Sequence, residues 1–158
     1  MVATKHVLQR GWRVTLQVRP FGTVYGWSNI LHATIGGNIG KYGDRTPGIW
    51  FHSGTTKLHI CSAVSGHANY CYNSHALPIH RSSTIVIQQV QRRRTYGSRS
   101  YGYRYHFEIF INGVRKISVV NSKPAIFHNV KYYASDPWHN AALAVVSHFK
   151  LETYGHRY

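Results

Sequence analysis

Acidic side chains are scarce in this sequence. Its 158 residues include only four, Asp44, Glu108, Asp136 and Glu152, against 19 lysines and arginines, so the formal net charge is +15 with every histidine neutral. A calcium site needs several oxygen ligands around one ion, and a glycosidase needs two carboxylates across the scissile bond. Four widely spaced acids favour neither, so we expect a non-enzymatic protein that attracts anions.

Long apolar runs are also missing. No run of 18 apolar residues occurs, so we expect no membrane-spanning helix. The N-terminal residues lack the apolar region of a signal peptide, as they would in a mature secreted form. With 43% hydrophobic residues, a chain of this length can bury its own core. We expect a single domain over residues 1–158, with a core at about 7–152 and a basic, tyrosine-rich tail at 153–158.

Cysteine occurs only at Cys61 and Cys71. Residues 58–60 and 70–72 have strand character, and Gly66 between them favours a turn. Such a hairpin can bring the sulfurs within disulfide distance, which would add roughly 2–3 kcal/mol through loop entropy. We expect the disulfide and therefore an extracellular location; two buried free thiols are the alternative. Without a CxxC pair, we expect no zinc site.

A helical period with capping residues is missing as well, whereas apolar and polar residues alternate in several short runs. These runs are residues 14–18, 85–90, 103–111, 114–120, 130–134 and 145–151. Asn112-Gly113 between two of them predicts a tight hairpin turn, because both turn positions need positive φ. Many short strands predict an all-β, antiparallel two-sheet sandwich.

Three stretches form a recognisable pattern: GWSNILH at 26–32, GDRTPGIWF at 43–51 and YHFEIFINGVRKISVVNSKPAIFHNVKYYASDPW at 105–138. Together they resemble the concanavalin A-like jelly-roll domains of secreted invertebrate proteins. The resemblance covers roughly residues 10–152 and implies a lectin-like jelly roll. It does not imply an activity, because this sandwich hosts lectins, hydrolases and scaffolds.

Sugar-binding and catalytic motifs of that fold are mostly absent. The ExDxxE strand of the laminarinase-like hydrolases is missing, and the four acids are too scattered for a calcium-dependent lectin. His67 and Asn69 match two positions of the galectin HxNxR strand, but Cys71 takes the arginine position. Trp27 and Trp50 are the remaining glycan-binding candidates, and we interpret them first as core residues.

The other conspicuous residues have structural interpretations. We expect Asp44 to brace its loop through a hydrogen bond or a salt bridge, with Arg45 beside it. Asp136 before Pro137 predicts an Asx-turn that ends a strand. We expect Trp138 to pack into the core or the neighbouring loop.

Residues 91–105 combine five arginines and four tyrosines with glycine and serine. This composition resembles marine adhesive or byssal matrix proteins, and residues 154–158 repeat it. Arginine binds anions and stacks on aromatic rings, which favours adhesion; a solvated hairpin tip is the alternative. The residues we assign to assembly or adhesion are Arg92, Arg93, Arg94, Tyr96, Arg99, Tyr101, Tyr103, Tyr154, Arg157 and Tyr158.

Five of the 12 histidines lie near the cysteine hairpin: His52, His59, His67, His75 and His80. Their spacing matches no sequence-local metal site, so we predict no metal or cofactor and interpret them as surface residues that gain charge in acid. Neighbouring strands could still bring two or three together as ligands for zinc, copper or nickel. We also predict that the protein stays soluble in acid and assembles near neutral pH.

The favoured function is a secreted structural protein that builds a fibre, adhesive or matrix. It would assemble head to tail through residues 1–9 and 152–158, next to edge strands at 14–18 and 145–151. The alternative is a calcium-independent lectin or a module for anionic, including sulfated, glycans. Nucleic acid is a less favoured partner, because the fold resemblance and the disulfide point away from it.

Overall fold

Strands dominate residues 1–155, which are the residues that the computed structural model describes. In chain order, β1 to β12 are Ala3–Leu8, Gly11–Pro20, Ser28–Thr34, Gly48–Phe51, Lys57–Val64, His67–Ala76, Ser83–Tyr96, Arg99–Ile111, Val114–Asn121, Phe127–Tyr133, Asn140–Ala141 and Ala144–Tyr154. Over the described residues there is no helix, and therefore none that could cross a bilayer. The all-β prediction is confirmed.

The strands form two sheets packed face to face. The seven-stranded sheet has the order β1-β10-β3-β4-β5-β6, with β11 paired to β3, and the five-stranded sheet has the order β12-β2-β7-β8-β9. The strand pairs are antiparallel except that β11 runs parallel to β3. This two-sheet sandwich confirms the predicted jelly roll, with one short parallel pair that the sequence did not indicate.

Alternation along the strands builds the core between the sheets. In β2, Val14, Leu16 and Val18 are buried in the core, as the pattern predicts, and so is Trp12; the residues between them point away from the core. Ile60 of β5 and Phe107 of β8 contribute from the two sheets and have no exposed surface. Apolar burial of this kind is the main force that stabilises the sandwich.

Tight turns close the β8–β9 hairpin and the β5–β6 hairpin, which contains both cysteines. Asn112 and Gly113 have φ values of 50° and 78°, which confirms the predicted turn between β8 and β9. Ser65 and Gly66 have φ values of 52° and 86° and join β5 to β6. This second turn places Cys61 opposite Cys71, and the predicted disulfide is present.

The chain ends differ from the sequence-based expectation. Residues 14–18 do not form an edge strand, because β2 lies between β12 and β7. The first strand is instead β1, which pairs with β10 through residues such as Lys5 and Val130, so most of residues 1–9 is committed to the protein's own sheet. Its short, mixed sequence has no clear alternation, which is why the pattern did not indicate it. The strand predicted at 145–151 is an edge strand, as expected, but it continues to Tyr154.

The arginine- and tyrosine-rich segment is the outer part of a two-stranded hairpin. β7 and β8 remain paired out to Tyr96 and Arg99, with only Gly97 and Ser98 between them. From Arg92 to Arg104 the residues are exposed. We call this outer part of the hairpin, residues 92–104, the arm.

Candidate functional site

A pocket of about 230 Å³ lies on the face of the seven-stranded sheet that points away from the core. Its lining residues are Trp27, Ile39, Arg45, Trp50, His59, Asn69 and His139. Side chains alternate across a strand, so Trp50 points outward between the core residues Ile49 and Phe51 of β4. His59 occupies the equivalent outward position in β5. The sheet's contribution to the pocket therefore comes from side chains on its outer face, which points away from the core.

Trp50 forms the floor of the pocket. Only 1% of its surface is exposed, and its indole ring lies over Gly48, where a Cβ atom would overlap the ring. The absence of a side chain at Gly48 is what lets the indole lie flat along the sheet. Trp50 is buried, as we expected, but it is buried on the outer face and not between the sheets.

Arg45 stacks on this floor. Its guanidinium carbon lies 4.3 Å from the centroid of the Trp50 ring, and only 7% of the residue is exposed. Nη1 donates to Oδ1 of Asn69 over 2.6 Å, and Nε donates to the carbonyl oxygen of Asn38 over 3.1 Å. Burial lowers the pKa of Arg45, with Asp136 and Asp44 acting in the opposite direction. An arginine pKa starts so high that the side chain stays charged, so the pocket contains a fixed cation.

Asp44 and Asp136 hold the loops around the pocket. Asp44 accepts hydrogen bonds from the backbone N–H groups of Gly37 and Lys41 over 3.1 and 2.7 Å, which confirms the expected loop bracing. Oδ1 of Asp136 accepts from the backbone N–H groups of Trp138 and His139 over 3.1 and 2.9 Å, which confirms the Asx-turn.

Asp136 is also the centre of a buried polar network. Its Oδ2 lies 2.7 Å from Nδ1 of His32, and both its oxygens lie 2.9 Å from Nδ1 of His139. Burial by itself raises the pKa of Asp136, but the hydrogen bonds from the two histidines outweigh it, and the pKa lies below its usual value. A carboxylate only accepts, so Nδ1 of His139 carries its hydrogen towards Asp136. The approach of Trp50 Nε1 to the same nitrogen, at 3.2 Å, is then a contact and not a hydrogen bond.

Trp27 lines the pocket and its ring packs against two histidines. Its ring centroid lies 4.6 Å from that of His52 and 4.8 Å from that of His59. Trp27 is 43% exposed, so it is not the core residue we expected. Both histidines contact Oδ1 of Asn73, at 2.8 and 2.6 Å. Burial is the main cause that lowers the pKa of His59, and the charge of Arg45 acts in the same direction.

The structure brings together three of the four candidate glycan-binding residues. Trp27, Trp50 and Asn69 line the pocket. His67 does not line it and is exposed at the start of β6. Trp138 is 41% exposed, so of its two expected placements, the core or the neighbouring loop, the core is wrong. It lies in the loop that Asp136 holds, with its ring 5.3 Å from that of His32.

Sequence reasoning missed Arg45, His59, His139 and Ile39 as pocket residues. Arg45 was interpreted only as the neighbour of the loop-bracing Asp44, and the histidines were interpreted as dispersed surface residues. One signal was available: Trp50 and His59 each lie between two apolar residues, Ile49 and Phe51 or Leu58 and Ile60. In a strand, this alternation places both side chains on the non-core face. The contributions of the loops before β4 and β11 had no comparable signal.

The residues assigned to assembly fall into three places. Arg93, Arg94, Tyr96, Arg99, Tyr101 and Tyr103 lie on the exposed arm. Tyr154 lies in β12 opposite Gly11. Arg157 and Tyr158 lie outside the described residues.

Arg92, at the base of the arm, has a structural role. It donates from Nε and Nη2 to the two carboxylate oxygens of Glu108 over 3.0 and 2.8 Å. Glu108 has no exposed surface. Burial tends to raise its pKa, but the hydrogen bonds from Arg92 and Gln88 outweigh burial and lower it. Arg92 is thus the counter-ion of a buried carboxylate and is less available for adhesion than the rest of the arm.

Comparison with known proteins shows a shared fold. No protein-family model matches the sequence, and no curated protein matches it. Seven solved chains match in structure. A native heptameric SAP-like pentraxin from Limulus polyphemus matches with a TM-score of 0.56 at 10% identity, over 95% of this chain and 66% of the pentraxin chain.

Two further structures match less well. Sheep galectin-11, in complex with glycerol, has a TM-score of 0.48 at 10% identity, over 95% of both chains. A mutant of the alginate lyase Aly36B, in complex with an alginate trisaccharide, has a TM-score of 0.39 at 12% identity, over 96% of this chain and 70% of the lyase. The present chain spans about two thirds of the pentraxin's length, and the likeness to the pentraxin supports the jelly-roll fold alone.

Proposed function

We propose that this protein is a non-enzymatic saccharide-binding module that works without calcium. The observation that carries the proposal is the convergence of Trp27, Trp50, Arg45 and Asn69 in one pocket on the outer face of the seven-stranded sheet. Ligand sites combine apolar and aromatic walls with a few oriented polar groups. The volume of about 230 Å³ is below the roughly 300–1,000 Å³ of drug-sized sites, which suits one sugar ring or the end of a chain.

The lining chemistry suits a sugar that is neutral or anionic. The exposed ring of Trp27 offers an apolar, amphipathic surface to the C–H groups of a sugar, while Arg45 and Asn69 offer planar polar groups to its oxygens. Among the residues that line the pocket none is acidic, and Arg45 adds a positive charge. A cationic ligand would meet repulsion there without a compensating carboxylate.

The two carboxylates nearest the pocket have other partners. Asp136 and Asp44 accept hydrogen bonds from backbone and histidine donors, as described above. Calcium requires six to eight oxygen ligands, and recruiting these two would break the loops they hold. We therefore propose binding that is insensitive to a calcium chelator, and a role in recognition without bond cleavage.

A glycan array at two salt concentrations tests the proposal. We expect Trp27→Ala and Asn69→Ala to abolish binding to the best ligand, and Tyr25→Ala, at a position that is 94% exposed and outside the pocket, to leave it unchanged. Binding that persists at high salt supports the pocket, whereas binding to sulfated glycans alone, lost with salt, indicates general charge attraction. If both pocket variants bind as well as the unaltered chain, the proposal is wrong.

The exposed arm favours a second candidate function, self-assembly into an extracellular fibre, adhesive or matrix. Tyr96, Tyr101 and Tyr103 are 82%, 54% and 55% exposed, beside Arg94 and Arg99. Tyrosine and arginine are the residue types that anchor protein interfaces. The disulfide is of the kind found in secreted proteins, and we include secretion in this proposal.

Electron microscopy and light scattering from pH 4 to 8 test this second function. We expect particles to grow above pH 7, where the histidines lose their charge. Replacing residues 94–102 with Asn-Gly, which closes β7 and β8 with a short turn, should prevent that growth while leaving glycan binding intact. Growth that is unchanged in this variant rules out the arm, and the absence of growth in the unaltered chain rules out the function.

A further inference from the structure

The disulfide hairpin carries a second group of potential ligands. A ring nitrogen of His59 and the Sγ atoms of Cys61 and Cys71 all lie within 4.8 Å of one another. Nε2 of His59 lies 3.1 Å from Sγ of Cys61. We propose that reduction of this disulfide converts the three residues into a binding site for a thiophilic divalent cation such as Zn²⁺. The proposal does not depend on saccharide binding.

Reduction of the disulfide should leave the hairpin in place. β5 and β6 pair on both sides of the cysteines, Ile60 with Tyr72 and Ser62 with Tyr70. The turn that joins the strands is the tight turn at Ser65 and Gly66. The disulfide links two residues that are only 10 positions apart in the sequence. The backbone hydrogen bonds between β5 and β6 already hold these positions next to each other. The two thiols would therefore stay opposite each other in the folded protein.

His59 is oriented as a metal ligand would be. Its Nδ1 lies 2.6 Å from Oδ1 of Asn73, a carbonyl-type oxygen that can only accept, so Nδ1 carries the hydrogen. In the neutral ring, Nε2 then has a lone pair, and that atom points at Cys61. Metal-bound histidines commonly donate their other N–H to an oxygen in this way. Burial lowers the pKa of His59, which favours the neutral ring.

The donor set fits zinc in ligand type and charge. Two thiolates and one imidazole are frequent zinc ligands, and tetrahedral zinc has Zn–S distances of about 2.3 Å and Zn–N distances of about 2.0–2.1 Å. The two thiolates neutralise the ion, so the positive charge of nearby Arg45 is tolerated. One position of the tetrahedron stays open for water or another small ligand.

A dithiol can reduce the Cys61–Cys71 disulfide. It supplies two electrons and two protons, becomes a cyclic disulfide itself and leaves Cys61 and Cys71 as thiols. Zinc binding then releases both protons, because the metal binds thiolates. The oxidised protein has no thiolate to offer, so the site exists only in the reduced state.

Cobalt titration of the full chain provides the test. The protein is reduced with a phosphine, the phosphine is removed under argon, and Co²⁺ is added while the sulfur-to-cobalt charge-transfer absorption is followed. We expect the band in the reduced protein, its loss on addition of Zn²⁺, and no band in the oxidised protein. Circular dichroism of the reduced protein should match that of the oxidised protein.

Variants separate the site from non-specific thiol binding. His59→Ala should remove the band or weaken Co²⁺ affinity strongly, whereas His67→Ala, at an exposed position at the start of β6, should not. Asn73→Ala should weaken affinity by about 10–100-fold, the range found when a partner of a metal ligand is removed. The proposal is overturned if reduction unfolds the protein, if the reduced protein shows no band, or if His59→Ala binds as tightly as the unaltered chain.

Discussion

His32 and Asp136 form a buried pair whose oxygen and nitrogen atoms, Oδ2 and Nδ1, lie 2.7 Å apart. Neither side chain has exposed surface, and Nε2 of His32 lies 2.7 Å from the carbonyl oxygen of Asp44. Both ring nitrogens therefore face oxygen atoms, and the ring is held from both sides. The pair, with the contact to Asp44, links β3 to the loops that contain Asp44 and Asp136, and both loops contribute residues to the pocket.

We predict that Asp136→Ala destabilises the protein by about 3–5 kcal/mol, because removal of one partner leaves the other buried without compensation. Urea denaturation followed by tryptophan fluorescence measures the change. Glu152→Gln is the control, since Glu152 pairs with Lys150 near the surface, and we expect almost no effect. Equal losses in the two variants would show that the buried pair has no special role.

We predict two steps of stability loss on acidification. The pKa of His59 is lowered in the folded state, so below its unfolded value of about 6.5 the unfolded chain binds the proton more readily and stability falls. The pKa values of Asp136 and Glu108 are also lowered, and their contribution is lost as the pH falls below about 4.

Denaturation midpoints measured from pH 3 to 8 distinguish the two steps. His59→Gln should remove the loss in the upper range and leave the lower one, whereas His67→Gln should preserve both. A midpoint that stays constant between pH 7 and 5 in the unaltered chain would contradict the first step.

We predict that Gly48→Ala disrupts the pocket. The added Cβ would overlap the indole ring of Trp50, and overpacking of this kind costs typically about 1–3 kcal/mol. Because Arg45 stacks on the same ring, saccharide binding should fall together with stability. Gly155→Ala is the matched control, since no atom lies within 4 Å of its added Cβ. Unchanged stability and binding in Gly48→Ala would show that Trp50 adjusts freely.

We predict that deleting residues 153–158 lowers the stability of the fold. The strand predicted from the sequence ends at 151, which would leave these residues outside the fold, but β12 continues to Tyr154. Thr153 Oγ1 accepts a hydrogen bond from the backbone N–H of Gln9 over 2.9 Å, and Tyr154 is paired with Gly11. Removing these contacts should cost about 1–3 kcal/mol. A chain that ends at Gly155 keeps both contacts and is the control in thermal denaturation. Equal midpoints for the two truncations would contradict the prediction.

The sequence predicted the fold class better than it predicted the site. Alternation of apolar residues and the Asn112-Gly113 turn were sufficient to predict the two-sheet sandwich. Both signals can be recognised in the sequence because they involve residues that are close together in the chain. Sequence reasoning placed Trp50 in the core, because composition alone predicts only that a tryptophan is buried, and the alternation with Ile49 and Phe51 that places it on the other face was not used. Strand β1 was missed because its pairing with β10 depends on residues more than a hundred positions away.

The sequence by itself determined the basic charge, the strand-rich fold, the cysteine hairpin and the Asx-turn at Asp136, all of which depend on composition or on short-range geometry. Only the tertiary structure decided that Arg45, Trp27, Asn69 and His139 line one pocket. These residues come from separate strands and loops, and their proximity depends on the sheet order. The sheet order depends on the burial of whole strand faces, which is a property of the assembled sandwich and of no single segment.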